Sequence, residues 1–526
     1  MKLRLPAQPK DGSGPKIRAR GGTVEAKGAL REEGQHGLRQ DENGTGSLSG
    51  ANAGVLEDRR AGYAAGSGLP QTKSVEQAAS GAVDRAKLLG EEKVSKLLWK
   101  FSLPAIIGML VNALYNIVDR IFVGRGVGSL ALSGIAISFP IPLVLMAFGM
   151  LIGMGATSMI SIRLGEKKRE EAELIVGNSF VLLVGISILI SLLCYVLMDP
   201  LLAAFGASAE VMPYARLYLR VLLWGAVFQS VSFGMNNFIR AEGNPRVAML
   251  TMILGAVLNT ILNPMFIFGL HLGVAGSALA TVISQFIAAV WVLSYFLGKR
   301  AMLKIRVKNL KLNWSIMSKA VAIGLSPFAM QLIASLITVL FNKSLAAFGG
   351  DLAIAVYGIM NSIIMLIFMP VFGFNQGVQP IIGYNYGARK YDRVRKALWA
   401  NVLAATGVAI LGFLLVEIFP HALMSLFSAG DRELTGLGTR ALRIYLMMLP
   451  IIGFQVAAVN YFQATGKPKK SLFLSLSRQV IFLLPLLLIL PKFFGLDGVW
   501  FSGPASDFAA SVVTAILLWA DLKQLA

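Results

Sequence analysis

From residue 95 onward the chain alternates long apolar stretches with short polar joints. The stretches lie near 99–123, 132–160, 172–197, 214–238, 247–269 and 275–297, and again near 320–346, 352–375, 394–419, 441–464, 471–491 and 498–520. Each is long enough to supply the roughly 20 helical residues that cross a hydrocarbon core of about 30 Å. Barrel strands are about half as long and alternate polar with apolar positions, which these stretches do not. The pattern predicts an all-α membrane protein with 12 transmembrane helices.

An internal repeat emerges when the halves are slid past one another by about 223 residues. "FIRAEGNPRVAML" at 238–250 then meets "YFQATGKPKKSLF" at 461–473, and Pro104 in "FSLPA" meets Pro327 in "GLSPFA". "ISIRLGEKKREEA" at 160–172 matches "IGYNYGARKYDRV" at 382–394, one residue out of phase. Each half holds an even number of helices, so both copies enter the membrane in the same direction. Parallel repeats of this kind place a substrate site between two lobes near the midplane. The predicted organisation is an N-terminal six-helix lobe over 95–300, a connecting loop over 301–316 and a C-terminal six-helix lobe over 317–526.

Residues 1–94 are different material, rich in Gly, Ala and nearly balanced charges, with no sustained periodicity. They predict a disordered tail. A translational start assigned too far upstream is the alternative, although the next methionine, Met109, already lies inside the first helix.

Composition supports the membrane assignment: 55% of residues are hydrophobic and only 15% charged. The net charge of +21 raises the question of nucleic acid. Its distribution answers otherwise. Lys and Arg crowd into loops on the tail's side, as in "RLGEKKRE", "GKRAMLKIRVKNLK" and "ARKYDRVRK", and are sparse on the opposite side. That asymmetry places both termini in the cytoplasm of a cell-membrane protein, with the lipid bilayer and no nucleic acid as partner. Cys194 is the only cysteine, so no intramolecular disulfide can form, and the three histidines show no metal-ligand spacing.

Chemistry enters with "NALYNIVDRIFVG", residues 112–124, where Asp119 interrupts apolar sequence. An ionisable residue there must face protein or water rather than lipid. Asn112, Tyr115, Asn116 and Asp119 share one helical face at i, i+3, i+4 and i+7, the first three as candidates to line a substrate cleft. The repeat offset carries Asp119-Arg120 onto Asn342-Lys343, so only one half keeps the acid. In the fifth stretch Asn259 and Asn263 stand at i and i+4, and Thr281 lies in the sixth. A carboxylate, two amides and a hydroxyl are hard oxygen ligands suited to Na⁺ or a proton. An interhelical hydrogen-bond network accounts for the asparagines equally well.

Asp507 and Arg478 are expected to form a structural ion pair. Gln376, Gln379, Gln455 and Asn460 either contact a ligand or join helices. Met360, Met365 and Met369 with Phe372 form either a deformable binding surface or ordinary core. There is no G-x-x-x-x-G-K-[ST] loop and no catalytic motif, which argues against an enzyme, a cofactor or an ATPase partner. Energy is expected from an ion gradient.

The stretches "LPAIIGMLVNALYNIVDRIFVG", "RAEGNPRVAM", "VLNTILNPMFIFGLHLGVAGSALAT" and "FNQGVQPIIGYNYGA" resemble the multidrug and toxic compound extrusion (MATE) family, closest to its bacterial MepA-like branch. The resemblance covers about residues 95–526 and implies two six-helix lobes forming a V-shaped cleft. It implies exchange of Na⁺ or H⁺ for organic, often cationic, compounds, by a protein expected to be monomeric. It also implies an N-lobe cation site, carried here by Asp119, Asn259, Asn263 and Thr281. Where "LNTILNP" has Asn263, the family usually has aspartate, so this site retains one carboxylate instead of two. The alternative function is flipping or export of a lipid-linked saccharide. That reading expects arginines in the cleft, and the intramembrane positive residues are few: Arg478, with Arg216, Arg220 and Arg443 near helix ends.

Overall fold

A straight 74-residue helix would extend about 110 Å, far more than a membrane's thickness. The run Trp314–Gly387 therefore folds back, and it does so at Gly350, whose φ of 64° only glycine adopts readily. Phe341 and Tyr357, on either side of that break, stack with ring centroids 5.0 Å apart. Along an unbroken helix they would stand about 24 Å apart. Pro468–Gln524 folds back in the same way at Gly495, φ 57°.

The computed structural model describes residues 88–427 and 431–524, except the side chains of Asn116, Arg120 and Ser129. Within them nine helical runs are long and apolar enough to span a membrane. The two hairpins raise nine to eleven, and the bent pair Arg432–Leu446 and Leu449–Ala464 supplies the twelfth. In order the spans are Val94–Gly126, Leu130–Gly165, Arg169–Val196, Met212–Ala241, Pro245–Gly269 and Gly273–Leu297. The second half follows with the two arms of Trp314–Gly387, then Tyr391–Ile418, the bent pair, and the two arms of Pro468–Gln524.

Interruptions have local causes. The second span breaks at Phe139, one residue before Pro140, whose ring removes an amide donor. The tenth bends by 47° where Pro450 opens its second piece. The fifth loosens into a π turn, Met265–Gly269, directly after Pro264, and the eleventh carries another at Ser477–Leu483. The repeat shows even in the joints: short helices Met198–Ala204 and Pro420–Ser425 occupy matching positions after the third and ninth spans.

The lobes exchange the starts of their first helices. Met317, Ala320 and Ile323 of the seventh span sit in the N-lobe core with Ile160, Ile175 and Phe238. Leu97, Leu98 and Phe101 of the first span sit among Val378, Leu398 and Tyr461 of the C-terminal half. At the end nearer the termini the second and eighth spans cross at backbone distance. A Cβ on Gly165 would strike the carbonyl oxygen of Tyr384, and one on Gly387 would strike that of Ile162. The pairs are reciprocal, since 165 to 162 and 387 to 384 are the same step. Gln379 of the eighth span adds a 2.9 Å hydrogen bond to Ser158 of the second. The lobes are thus joined at this end, as the two arms of a V.

The chain between the lobes is strapped to the first one. Glu242 accepts from the backbone amides of Met302 and Leu303, both at 3.1 Å, and from the Tyr295 hydroxyl. Asn178 donates to the carbonyls of Asn309 and Lys311, and Arg306 pairs with Glu173 at 2.9 Å. The tail expected over 1–94 lies outside the described residues up to position 87. Residues 88–91 form a helical turn, with Leu89 buried and its carbonyl accepting from Asn385 at 2.9 Å. Residues 88–94 are therefore ordered, against the expectation of a disordered tail reaching 94. Beside that turn, Glu92 bonds Lys96 and Lys100, whose ammonium groups hold its carboxyl below the usual range.

Candidate functional site

Asp119 lies in the upper part of the first span, which continues helical to Gly126. A carboxylate in such surroundings is costly unless it is hydrogen-bonded. Two neighbouring helices supply the donors. Asn263 of the fifth span donates its side-chain amide to Asp119, and Ser277 of the sixth donates its hydroxyl at 2.9 Å. The same Asn263 amide reaches Asn259 Oδ1 at 3.4 Å, and Asn259 donates to Thr281 Oγ1 at 3.0 Å. A polar chain therefore runs Asp119, Asn263, Asn259, Thr281. Its ends are half-buried and its two asparagines are buried.

Helical spacing produces this arrangement. Asn259 and Asn263 are one turn apart on the fifth span, and Ser277 and Thr281 one turn apart on the sixth. Two ladders of polar groups face each other, and Asp119 closes the upper end. Asn263 Oδ1 is buried and has no hydrogen-bond partner. An orphaned acceptor beside a carboxylate fits a small cation or a proton carrier. Among the described residues no three His, Cys, Asp or Glu side chains gather as a metal site. Ser277 is absent from the sequence-based candidates, although its i, i+4 relation to Thr281 in "GSALAT" is a signal that could have found it.

The remaining candidates are dispersed. Asn112 is on the first span below Asp119, and Tyr115 lines a crevice of about 230 Å³ with Val118, Ala256 and Thr260. The Asn116 side chain is outside the described residues. Met360 is fully buried in the C-lobe core beside Phe341 and Tyr357. Gln379 ties the lobes together, and Asn460 donates to the Asn375 carbonyl at 3.0 Å. The side-chain oxygens of Gln376 and Gln455 are buried without partners. None of these five hydrogen-bonds to the Asp119 group among the described residues. Arg478, in the π turn of the eleventh span, meets Asp507 of the twelfth at 2.6 Å.

Fold and site together define a multi-pass helical membrane protein of two repeated lobes, with a polar cluster inside the first. The MatE family model matches it twice, over residues 104–265 and 327–489. The two matches start 223 residues apart, the offset of the internal repeat. The chain belongs to the MATE family of transporters, which are not enzymes. It is 30% identical to the multidrug export protein MepA of Staphylococcus haemolyticus, over 78% of this chain and 90% of that one. MepA of Staphylococcus aureus strain MSSA476 is also 30% identical, over 81% and 94%. The MATE multidrug transporter DinF-BH, solved in complex with a small molecule, superposes with a TM-score of 0.77 at 42% identity, covering 82% of this chain and 97% of that one. A MATE transporter of the MOP superfamily solved in an outward-facing conformation gives 0.78 at 27% identity, covering 84% and 98%.

Proposed function

We propose that this transporter is a secondary active antiporter that exports organic, often cationic, compounds in exchange for H⁺ or Na⁺ by alternating access. Asp119 carries the coupling ion. The observation that supports this most is the Asp119 cluster, one carboxylate held by Asn263 and Ser277 beside the orphaned Asn263 oxygen. The names of the MepA relatives and the small-molecule complex of DinF-BH support small organic molecules as cargo. The loops rich in Lys and Arg support cytoplasmic termini in the cell membrane. With that orientation the lobes are closed toward the cytoplasm, the arrangement of an outward-facing transporter.

Asp119, Asn263, Asn259, Ser277 and Thr281 would hold Na⁺ through oxygen, or Asp119 alone a proton. Either ion neutralises the carboxylate and weakens its hold on the Asn263 amide and the Ser277 hydroxyl. The first span is then free to shift against the fifth and sixth, with Pro104 as its point of bending. A ligand moves such an equilibrium only by its differential affinity for the two states. Cargo and cation therefore favour opposite lobe arrangements.

The test is uphill efflux of a fluorescent lipophilic cation from proteoliposomes under imposed pH or Na⁺ gradients. One gradient should drive it in the wild type and neither in Asp119→Asn. An Asp119→Asn variant pumping at the wild-type rate would remove Asp119 from the mechanism.

A further inference from the structure

The first and ninth spans pack against each other and both begin at the face where the described chain starts, at Val94 and Tyr391. Between their starts lies a cavity of about 430 Å³, lined chiefly by Glu91, Lys93, Ser95, Arg393, Lys396 and Ala400. Three cations there face one carboxylate. Among the described residues Arg393 is fixed in place without a salt bridge: Nη2 donates to the carbonyl of Glu92 at 2.6 Å, and Nε to Asn385 Oδ1 at 3.0 Å. Glu92 is turned away, toward Lys96 and Lys100. Among the described residues Lys93 and Lys396 are exposed and belong to no ion pair. The site therefore holds a surplus of positive charge around a preformed opening.

Helical spacing extends the opening into the membrane. Ser95, Trp99 and Leu103 follow one another at i, i+4 and i+8 on the first span. Lys396, Ala400 and Leu403 do so at i, i+4 and i+7 on the ninth. Trp99, Leu103 and Leu403 are all exposed, Leu403 by 76%. A charged chamber at the level of the helix starts thus continues into two apolar, outward-facing rows. A free phosphate would use the chamber alone. A molecule with an anionic head and hydrocarbon chains would use both.

We propose that the cavity between the starts of the first and ninth spans is a binding site for the headgroup of an anionic phospholipid, with Lys93, Arg393 and Lys396 holding the phosphate. Basic pockets between membrane helices on the cytoplasmic side bind anionic lipid heads, and a Lys or Arg near an anionic membrane surface contributes about 1 kcal/mol, or about fivefold in affinity. The acyl chains lie along Trp99 and Leu103 on one side and Leu403 on the other. The site is separate from the Asp119 cluster and does not depend on the coupling mechanism.

The test uses the full chain, purified in detergent and titrated with phosphatidylglycerol or phosphatidylcholine of matched chains, with bound lipid counted by native mass spectrometry. The site predicts tighter retention of phosphatidylglycerol, by about tenfold or more. Replacing Lys93→Gln and Lys396→Gln together should weaken it about twentyfold and leave phosphatidylcholine unchanged. Both lysines are exposed and glutamine keeps an aliphatic stem, so an unchanged melting temperature confirms a folded variant. Lys523→Gln, at the end of the twelfth span, is the control and should have no effect. Equal retention of the two lipids, or no response to the double substitution, would overturn the proposal. So would inorganic phosphate binding the cavity as tightly as the lipid, or phosphatidylglycerol binding only after removal of residues 1–87.

Discussion

Ser277 reaches across from the sixth span to donate its hydroxyl to Asp119 at 2.9 Å. A hydrogen bond to the charged form of a carboxylate favours that form. Removing that donor in Ser277→Ala should therefore alter the pH dependence of transport if H⁺ is the coupling ion. If Na⁺ is the coupling ion, loss of an oxygen ligand should instead raise its half-saturating concentration about tenfold. Initial efflux rates measured against pH and against Na⁺ read both.

Asn263→Asp introduces a second carboxylate within hydrogen-bonding reach of the first. The pair offers a bound cation a second negative charge. The pH dependence of transport should again differ from the wild type, and Na⁺ should now bind more tightly. Opposite Na⁺ responses from Ser277→Ala and Asn263→Asp would identify oxygen ligation; matching responses would exclude it.

The reciprocal crossing of Gly165 and Gly387 admits no side chain, because the obstacle in each case is backbone. Gly387→Val should separate the lobes at the end nearer the termini while leaving each lobe folded. Spin labels placed on the joints after the second and eighth spans, in a Cys194→Ser background, should report a longer distance and a depleted closed population. An unchanged distance distribution would mean that the seam is not a lobe contact that matters for closure.

Arg478 and Asp507 meet at 2.6 Å with the aspartate buried. Removing one partner of a buried pair leaves an uncompensated charge, typically at a cost of about 3–5 kcal/mol. Asp507→Ala should lower the thermal midpoint sharply. The double change Arg478→Met with Asp507→Leu should recover most of the loss, and uphill transport with it. Recovered stability without recovered transport would instead place the pair in the transport cycle.

Glu242 holds the connecting chain through two backbone amides. In Glu242→Ala those amides lose their acceptor, and trypsin should cut at the exposed Lys304 and Lys308 several times faster than in the wild type. Equal cleavage rates would show that the contacts of Asn178 and Glu173 suffice to hold the strap.

The legible parts of this molecule are those written in side-chain chemistry at helical spacing. Apolar length marks the spans, and short joints containing Gly350 and Gly495 mark the two hairpins. The i, i+4 rule brings Asn259 and Asn263 onto one face, toward Asp119. Ser277 is hidden because a serine among small residues is common wherever helices pack closely. The exchange of helix starts between lobes leaves no mark, since apolar periodicity shows that a face is buried and not against which partner. Leu89 falls within the expected tail because its anchorage is mostly a backbone carbonyl, which every residue has. Met360, offered by composition as part of a pliable surface or as core, is fully enclosed among Phe341 and its neighbours.

The most direct measurement is equilibrium binding of a fluorescent lipophilic cation to the purified protein as pH and Na⁺ are varied, for wild type and Asp119→Asn. Linkage requires that a coupling ion bound at Asp119 weaken substrate binding by the factor by which substrate weakens the ion. Wild-type affinity should fall with rising concentration of one of the two ions, approaching about tenfold per tenfold change where that ion competes fully, and Asp119→Asn should be insensitive to both. An equal dependence in the two proteins, or none in either, would contradict it.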